Sequence, residues 1–347
     1  LFSPSHGDWT TRSFIHRSSR PHAFDRWETV SDGPLFAYPQ PHYDPKRGFA
    51  LLHTVYADGR GLHVKHSRDG RDWTPSRRLA AAGRGHYQVS HHDTGHGVLW
   101  TAFDYHPHEG GLDRRTNLYV MRSDDWGVTW RTADGRPVEL PIDSPRCSAL
   151  VHDFEGEARL CFIKDLITDA EGRPLVLYST SRGWEPGPQH GPHAWWLARQ
   201  RPGGWTHHRI TDSDHNYDAG SLFVDLRPGG GERLTLIGAT EPGPQPFAAG
   251  GRIAVWTSDD AGVTWTRDWL LTPADAEVNH NYPRRPLHAH PGFRVFWADG
   301  HGYHPSSSSL WFAADDDPTA RRVVVRLAAR SDPRTPERPR QPQLPAD

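Results

Sequence analysis

The stretch Ser123-Asp124-Asp125-Trp126-Gly127-Val128-Thr129-Trp130 decides the fold predicted for this chain. It recurs as Ser258-Asp259-Asp260-Ala261-Gly262-Val263-Thr264-Trp265, and a looser copy reads Ser67-Arg68-Asp69-Gly70-Arg71-Asp72-Trp73. Asp suits a tight turn because its carboxylate bonds nearby backbone N–H groups, and Gly suits it because Gly accepts positive φ. A strand-like run precedes each copy, and the final tryptophan opens the next strand and can pack back over the turn. The pattern therefore predicts a recurring β-hairpin.

The rest of the chain reads as short strands bounded by Gly, Pro, Asp or Asn. Four-stranded units repeat from position 30 onward, and their last strands begin near four tryptophans, Trp73, Trp130, Trp205 and Trp265. Such a periodic array is the sequence pattern of a propeller. We therefore expect an all-β propeller with five whole four-stranded blades and an amino-terminal partial one, within a range of five to seven blades. We expect a single domain over residues 1–327 and a disordered tail over 328–347, which is rich in Pro, Arg and Asp.

Composition excludes several classes of function. The chain has 347 residues, a net charge of -2 and a pI near 7.0, so no overall field attracts nucleic acid or an anionic membrane. No apolar run approaches the ~20 residues that a transmembrane helix needs. There are 24 His and 15 Trp against one Met, and only two Cys. Cys147 and Cys161 flank a short turn, and the sequence leaves open whether they form a disulfide or remain thiols.

The repeated stretches resemble the Asp-box, or BNR, repeat of sialidase-type β-propellers. In those families the box lies on the face away from the active site. The resemblance implies that the loops leading into each first strand, and those joining each second strand to the third, lie together on the opposite, functional face. His215-Asn216-Tyr217 and its repeat His280-Asn281-Tyr282 fall on such loops.

The functional face should carry His, Tyr, Arg and acidic side chains. Arg binds a carboxylate or sulfate through two hydrogen bonds, aromatic rings stack on sugar faces, and His moves protons near neutral pH. For any single His, a structural role as a hydrogen-bonded residue at a strand end is an interpretation of equal weight. The candidates are His86, Tyr105, His106, Lys164, His215, Tyr217, Glu241, His280, Tyr282, Arg284, Arg285, Asp299 and His301.

The middle of the chain also resembles the propeller polysaccharide lyases of the ulvan lyase and rhamnose–glucuronate lyase type. In those families two His, twenty residues apart on successive loops, serve the chemistry, with a Tyr and an Arg on the following blade. His86 and His106 have this spacing, and Lys164 stands near the place of the Arg. The chain departs from the pattern at Ser144-Pro145-Arg146, where the Tyr is missing.

This resemblance implies a β-eliminative lyase that acts on an acidic, uronate-containing polysaccharide or oligosaccharide. The residues assigned to catalysis are His86, His106, Lys164, Tyr217 and Arg284. The residues assigned to substrate binding are Tyr105, His215, Glu241, His280, Tyr282, Arg285, Asp299 and His301.

Two alternatives stay open. A sialidase-like exo-glycoside hydrolase is supported by Arg284, Arg285 and Glu241, although the Arg-Ile-Pro stretch usual before the first box is absent. A non-catalytic glycan-binding propeller is the other, because a fold does not imply a function.

We expect that the predicted activity requires no cofactor. The pattern leaves room for a structural divalent cation at His288, His290, Asp299 and His301, where a plain polar rim is the favoured interpretation. We expect a monomer without nucleic-acid or membrane partners. The amino-terminal stretch of this sequence, which starts at Leu1, does not have the pattern of a signal peptide, and we expect a secreted or periplasmic protein.

Overall fold

The computed structural model describes residues 1–6, 12–33, 36–56, 59–111, 113–287, 289–290, 292–304, 307–314 and 321–323. Within these residues the chain forms six antiparallel sheets arranged as the blades of a propeller. The first sheet, blade one, has three strands: β1 (Phe2–Ser3), β2 (Ser13–Ser18) and β3 (Trp27–Gly33). The described residues contain one short 3-10 helix, Pro188–His190, and it is not a membrane-spanning segment.

The other five blades have four strands each. Blade two consists of β4 (Ala37–Asp44), β5 (Gly48–Tyr56), β6 (Arg60–Ser67) and β7 (Arg77–Ala80). Blade three consists of β8 (Gln88–Asp93), β9 (Val98–Tyr105), β10 (Thr116–Ser123) and β11 (Leu150–His152). Blade four consists of β12 (Leu160–Thr168), β13 (Pro174–Ser181), β14 (His193–Arg201) and β15 (Gly204–Ser213).

Blade five consists of β16 (Gly220–Leu226), β17 (Glu232–Glu241), β18 (Arg252–Ser258) and β19 (Thr266–Leu270). Blade six consists of β20 (Asn279–Arg284), β21 (Val295–Gly300), β22 (Leu310–Ala313) and β23 (Arg321–Val323). The predicted all-β propeller of five whole blades and an amino-terminal partial one is confirmed. The tail 328–347 lies outside the described residues, so its disorder stays a prediction.

The Asp-box turns form as the sequence predicts. In the copy at 123–130, Ser123 Oγ donates to Asp125 Oδ1 at 2.8 Å and accepts the Gly127 N–H at 2.7 Å. Asp125 in turn accepts the Thr129 N–H at 2.7 Å. Gly127 has φ +90°, a conformation that side chains disfavour. These bonds all fall within seven residues, so the motif folds from local information alone.

The same bonds recur at the second full copy and partly at the looser one. Ser258 Oγ donates to Asp260 at 2.8 Å, and Asp260 accepts the Thr264 N–H at 2.9 Å. In the looser copy Ser67 Oγ accepts the Gly70 N–H at 2.8 Å.

Box tryptophans close the turns by hydrogen bonding. The indole N–H groups of Trp73, Trp130 and Trp265 each donate to the carbonyl of the box glycine three residues earlier, at 3.0, 3.2 and 3.0 Å. Trp205 differs, because it pairs with Gln200 across the tight β14–β15 hairpin. The four tryptophans are predicted to occupy equivalent places on successive blades. The three that follow an Asp-box make the same hydrogen bond, and Trp205 does not share it.

The apolar core lies between neighbouring blades. One buried cluster joins Leu52 and Leu62 of blade two to Phe103 of blade three, with Trp126 and Trp130 of the Asp-box between them. Similar clusters join blades three and four, four and five, and five and six. Burial of these side chains stabilises the ring because each blade covers the apolar face of the next.

Two expectations about local structure are resolved by the fold. The last strand of blade three was expected directly after Trp130, but it is Leu150–His152, because residues 131–137 fold into short bridges first. Cys147 and Cys161 are free thiols that pack into two different apolar clusters.

Candidate functional site

The candidate site is built from loops that lead into first strands or join second strands to third strands. Asp113 and Arg115 lie between β9 and β10, Tyr87 precedes β8, and Tyr217 precedes β16. Phe162 lies on β12. We call these five residues the Arg115 cluster. Its members come from three consecutive blades, so the propeller itself brings them together.

Arg115 is the centre of the cluster. Its guanidinium carbon lies 4.2 Å from the ring centre of Tyr87, 4.8 Å from that of Phe162 and 4.9 Å from that of Tyr217. Cation–π contacts of this kind hold a guanidinium in place. The side chain is half-buried, so the positive charge is fixed beneath a surface that a ligand can reach.

The Tyr217 hydroxyl lies between two charged groups. Arg115 donates a hydrogen bond to it at 2.9 Å, and the hydroxyl donates to the Asp113 carboxylate. Burial raises the pKa of Tyr217, the Arg115 charge lowers that pKa, and the bond to Asp113 raises it. The phenol is therefore neutral near pH 7 and sits where a carboxylate can accept its proton.

His106 contacts the Arg115 cluster indirectly, through Arg60. Arg60 Nη2 lies 2.6 Å from His106 Nδ1, and Arg60 is 5.1 Å from the ring centre of Tyr87. Because a guanidinium only donates, Nδ1 is the acceptor and the ring proton is on Nε2, which lies 3.4 Å from Asp104 Oδ1. His106 is fully buried, and burial lowers its pKa.

His86 is also used inside the fold. Its Nδ1 lies 2.5 Å from the Asp104 carbonyl oxygen, and its Nε2 accepts the Ala82 N–H at 3.1 Å. Burial lowers the pKa of His86 to about 4. The two histidines with the lyase-like spacing thus lie on either side of Asp104, and each has its lone pair occupied by a protein donor.

Lys164 contacts the backbone of the residue that precedes Tyr217. It is buried, and its ammonium donates to the Asn216 carbonyl oxygen. Arg284, which is exposed, donates to the Lys164 carbonyl oxygen at 3.2 Å. Burial lowers the pKa of Lys164, and burial raises that of the neighbouring Asp218.

His215 orients Tyr217 through the backbone. Its Nδ1 accepts the Tyr217 N–H at 3.0 Å, so a neutral ring carries its proton on Nε2. Burial lowers the pKa of His215 to about 4, and the Lys164 charge contributes. This half-buried imidazole can donate a hydrogen bond beside the Tyr217 hydroxyl.

The structure therefore places six of the sequence-predicted residues in two neighbouring groups, one around Asp104 and one around the backbone of residues 215–217 and Lys164. These are His86, His106, Lys164, His215, Tyr217 and Arg284.

Several other predicted residues have their contacts elsewhere. His280 is buried in blade six, where it accepts the Trp297 indole N–H at 2.8 Å, and Asp299 accepts that of Trp311 at 2.8 Å. Glu241 pairs at 2.9 Å with Arg267, which is on the outermost strand of blade five.

The remaining predicted residues also lie outside the Arg115 cluster. Tyr105 is buried in the apolar core, and Arg285 pairs with Asp165 at 3.2 Å. Tyr282 is 52% exposed at the surface of blade six. His301 packs against Tyr303 and His304.

A metal centre is not evident in the described residues, where no group of three or more His, Cys, Asp or Glu is arranged to hold an ion. His288, one of the residues considered for a cation, lies outside the described part of the chain.

Sequence reasoning missed Asp113 and Arg115. The loop between the second and third strands of blade three is predicted to lie on the functional face, but the candidates predicted from this region are Tyr105 and His106. The sequence signal for these two residues was a pair of opposite charges on one loop of the functional face, when neighbouring loops of that face carry Tyr87 and Tyr217.

Comparison with known proteins agrees with this architecture. The profile of a family described as "BNR repeat-containing family member" matches residues 6–213. The chain belongs to this family. No curated protein sequence matches it significantly.

Solved structures share the fold at low sequence identity. The ulvan lyase of polysaccharide lyase family PL25 has a TM-score of 0.70 and 16% identity over 89% of this chain and 72% of its own. A second structure of a PL25 ulvan lyase, bound to -[GlcA(1-4)Rha3S]-, has the same TM-score, identity and coverage. A protein of unknown function from Dyadobacter fermentans DSM 18053 has a TM-score of 0.55 and 15% identity over 84% of this chain and 83% of its own.

Proposed function

We propose that this BNR-family propeller is a carbohydrate-active enzyme that cleaves a uronate-containing polysaccharide or oligosaccharide by β-elimination at the Arg115 cluster. One observation carries the proposal: the Tyr217 hydroxyl is held between the Arg115 guanidinium and the Asp113 carboxylate. This arrangement joins a proton-transfer group, a proton acceptor and a fixed positive charge.

β-Elimination has two demands. The C5 proton of a uronate is removed, and it is acidic enough only when the adjacent carboxylate charge is neutralised. Arg284 is exposed and anchored to the Lys164 carbonyl oxygen, so its guanidinium is suited to bind that carboxylate. Arg115 then stabilises negative charge at the Tyr217 oxygen, 2.9 Å away.

Tyr217 passes protons between the substrate and Asp113. As Tyr217 takes the C5 proton, its own hydroxyl proton passes to Asp113. The C5–H electron pair forms the C4=C5 double bond, and the C4–O4 bond breaks with its electrons on O4. Tyr217 donates its new proton to O4 and recovers one from Asp113, so the site returns to its first state.

His86, His106 and Lys164 act as positioning residues in this scheme. His106 fixes Arg60, which packs on Tyr87, and His86 fixes the loop beneath it by bonding Asp104 and Ala82. Lys164 holds the Asn216 backbone next to Tyr217. His215, with its proton on Nε2, is suited to donate a hydrogen bond to a sugar hydroxyl.

Fold similarity supports this class of substrate. The neighbour with a TM-score of 0.70 is an ulvan lyase, and one structure of it contains a glucuronate-bearing saccharide. A hydrolase would need two carboxyl groups roughly 5–9.5 Å apart on either side of the sugar. The two acidic residues among the sequence-predicted candidates, Glu241 and Asp299, instead contact Arg267 and Trp311.

The reaction product distinguishes a lyase from a glycoside hydrolase and from a protein that only binds glycans. The protein is incubated with uronate polymers, sialosides and rhamnosides, and both near-ultraviolet absorbance and new reducing ends are followed. We expect absorbance from a 4,5-unsaturated uronate, its loss in Asp113→Asn, and its retention in Tyr43→Phe. Tyr43 is a suitable control because it is exposed at the β4–β5 hairpin, away from the cluster.

Other outcomes contradict the lyase. Reducing ends without absorbance would indicate a glycoside hydrolase. Saturable glycan binding with neither signal would indicate a non-catalytic binding propeller. Absorbance that persists in Asp113→Asn would remove Asp113 from the proton path.

A further inference from the structure

A cavity lies close to the Arg115 cluster. It has a volume of about 360 Å³ and is lined by Arg114, Thr116, Glu155, Arg159, Arg182 and Trp184, among others. We call it the Arg114 pocket. Its residues come from the loops β9–β10, β11–β12 and β13–β14 and from the first residues of β10 and β12, in blades three and four. Trp184 is 53% exposed, so an aromatic surface is available to a ligand there.

Three guanidinium groups line this pocket without an ion-pair partner in the described chain. Arg114, Arg159 and Arg182 each lie more than 4 Å from any described carboxylate, in contrast to Arg173 and Arg199, which pair with Asp169 at 2.8 Å. Glu155 is the acid among the lining residues and leaves an excess of positive charge. Like charges brought together in a concave surface favour an anionic ligand, and Arg recognises planar or tetrahedral oxyanions through paired N–H groups.

Residues that line the pocket are neighbours of residues in or next to the Arg115 cluster. Arg114 directly precedes Arg115, whose side chain contacts Tyr87 and Tyr217. On the other side, the Gly183 carbonyl oxygen next to Arg182 accepts a hydrogen bond from Asn216 Nδ2 at 3.1 Å. A saccharide that occupies the cluster therefore has a neighbouring cavity in which to place its next units.

We propose that the Arg114 pocket binds a second anionic substituent of the same saccharide, a sulfate ester or a carboxylate, with Trp184 stacked on the sugar that carries it. The inference rests on the proposed function in naming a saccharide as the ligand. It makes the enzyme selective for chains with negative charges on successive units, since a single charged sugar would occupy only the Arg115 cluster.

Binding is measured by calorimetry with three probes. They are a sulfated uronate tetrasaccharide, its chemically desulfated counterpart and a uronate disaccharide. We expect Arg159→Gln and Arg182→Gln each to raise the Kd for the sulfated tetrasaccharide at least tenfold and to change that for the disaccharide less than twofold. Trp184→Ala should weaken tetrasaccharide binding in the same way.

Arg78→Gln is the matched control. Arg78 is exposed on β7, the outermost strand of blade two, and the substitution removes the same charge. It should leave all three affinities within twofold. An equal loss in Arg78→Gln would show a general charge effect and overturn the pocket. Wild-type affinity for the tetrasaccharide in both Arg159→Gln and Arg182→Gln would overturn it as well.

The probes also identify the anion and separate the two proposals. Affinity lost on desulfation assigns the pocket to sulfate, and affinity kept assigns it to carboxylate, provided that the arginine substitutions weaken binding. Arginine-dependent binding without any unsaturated product would overturn the lyase and retain the pocket. Elimination with no preference of the wild type for the tetrasaccharide over the disaccharide would retain the lyase and overturn the pocket.

Discussion

His215-Asn216-Tyr217 and His280-Asn281-Tyr282 are the same three residues in blades five and six, and the structure uses them differently. In blade five the motif precedes the first strand, β16, and Tyr217 joins the Arg115 cluster. In blade six it lies inside the first strand, β20, where His280 is buried against Trp297 and Tyr282 is exposed.

The difference follows from the place of the motif relative to its strand. In blade six the register of β20 shifts between Asn281 and Arg284, and Tyr282 has a φ of +59° there. This irregularity turns the Tyr282 side chain outward although His280, two residues earlier, is buried. In blade five the same three residues lie before β16, and the Tyr217 hydroxyl contacts Arg115 and Asp113. One motif can therefore supply a catalytic candidate in one blade and core structure in the next.

The two tyrosines give the largest expected difference. Tyr217→Phe removes the hydroxyl that transfers the proton, and general acid–base groups of this kind contribute about 10²–10⁴-fold to a rate. We expect a loss of kcat in that range for cleavage of the uronate polymer. Tyr282→Phe should keep kcat within twofold, because that side chain is exposed outside the cluster.

Initial rates of absorbance increase measure both variants, with circular dichroism as the check on folding. Equal losses in the two variants would mean that the motif does the same work in both blades. A fully active Tyr217→Phe would remove Tyr217 from the chemistry.

The two histidines should differ in stability. His280→Ala leaves a cavity and an unpaired buried Trp297 indole N–H, and we expect it to lower the free energy of unfolding by about 2–4 kcal/mol. His215→Ala removes one acceptor on a half-buried loop, and we expect a loss of about 1 kcal/mol. Urea unfolding of both variants measures this difference. A larger loss for His215→Ala would contradict the core role assigned to His280.

The fold was predictable because its signals are local. The Ser123, Asp125 and Gly127 bonds form within one turn, and three such turns determine where hairpins lie. The place of β11 was not predictable in the same way, because the chain after Trp130 first folds into bridges with Arg122 and Pro137.

The site was only partly predictable because its contacts are distant in sequence. Tyr217 and His215 were recognised from a repeat, but the partners of Tyr217 are Asp113 and Arg115, about a hundred positions earlier. The burial of His280 depends on its pairing with Asp299, which the repeat does not encode. Residue type indicated the face, and only the assembled blades show which side chains meet.

A pH dependence is expected on the blade-five side of the comparison. Burial lowers the pKa of His215 to about 4 in the folded protein, whereas an unfolded histidine titrates near 6.5. Between those values the unfolded chain binds a proton at this position that the folded chain does not. Stability from this group is therefore present above about pH 6.5 and is lost as the pH falls toward 4.

His215→Gln removes this titration and serves as the comparison. We expect the difference in free energy of unfolding between wild type and His215→Gln to shift against the wild type between pH 7 and pH 4.5. The same difference should be constant between pH 7 and pH 8, where neither form of the histidine changes its charge. Urea unfolding at the three pH values measures it. A shift in favour of the wild type on acidification would mean that the folded protein holds His215 protonated, which would place a hydrogen on Nδ1 and break its bond to the Tyr217 N–H.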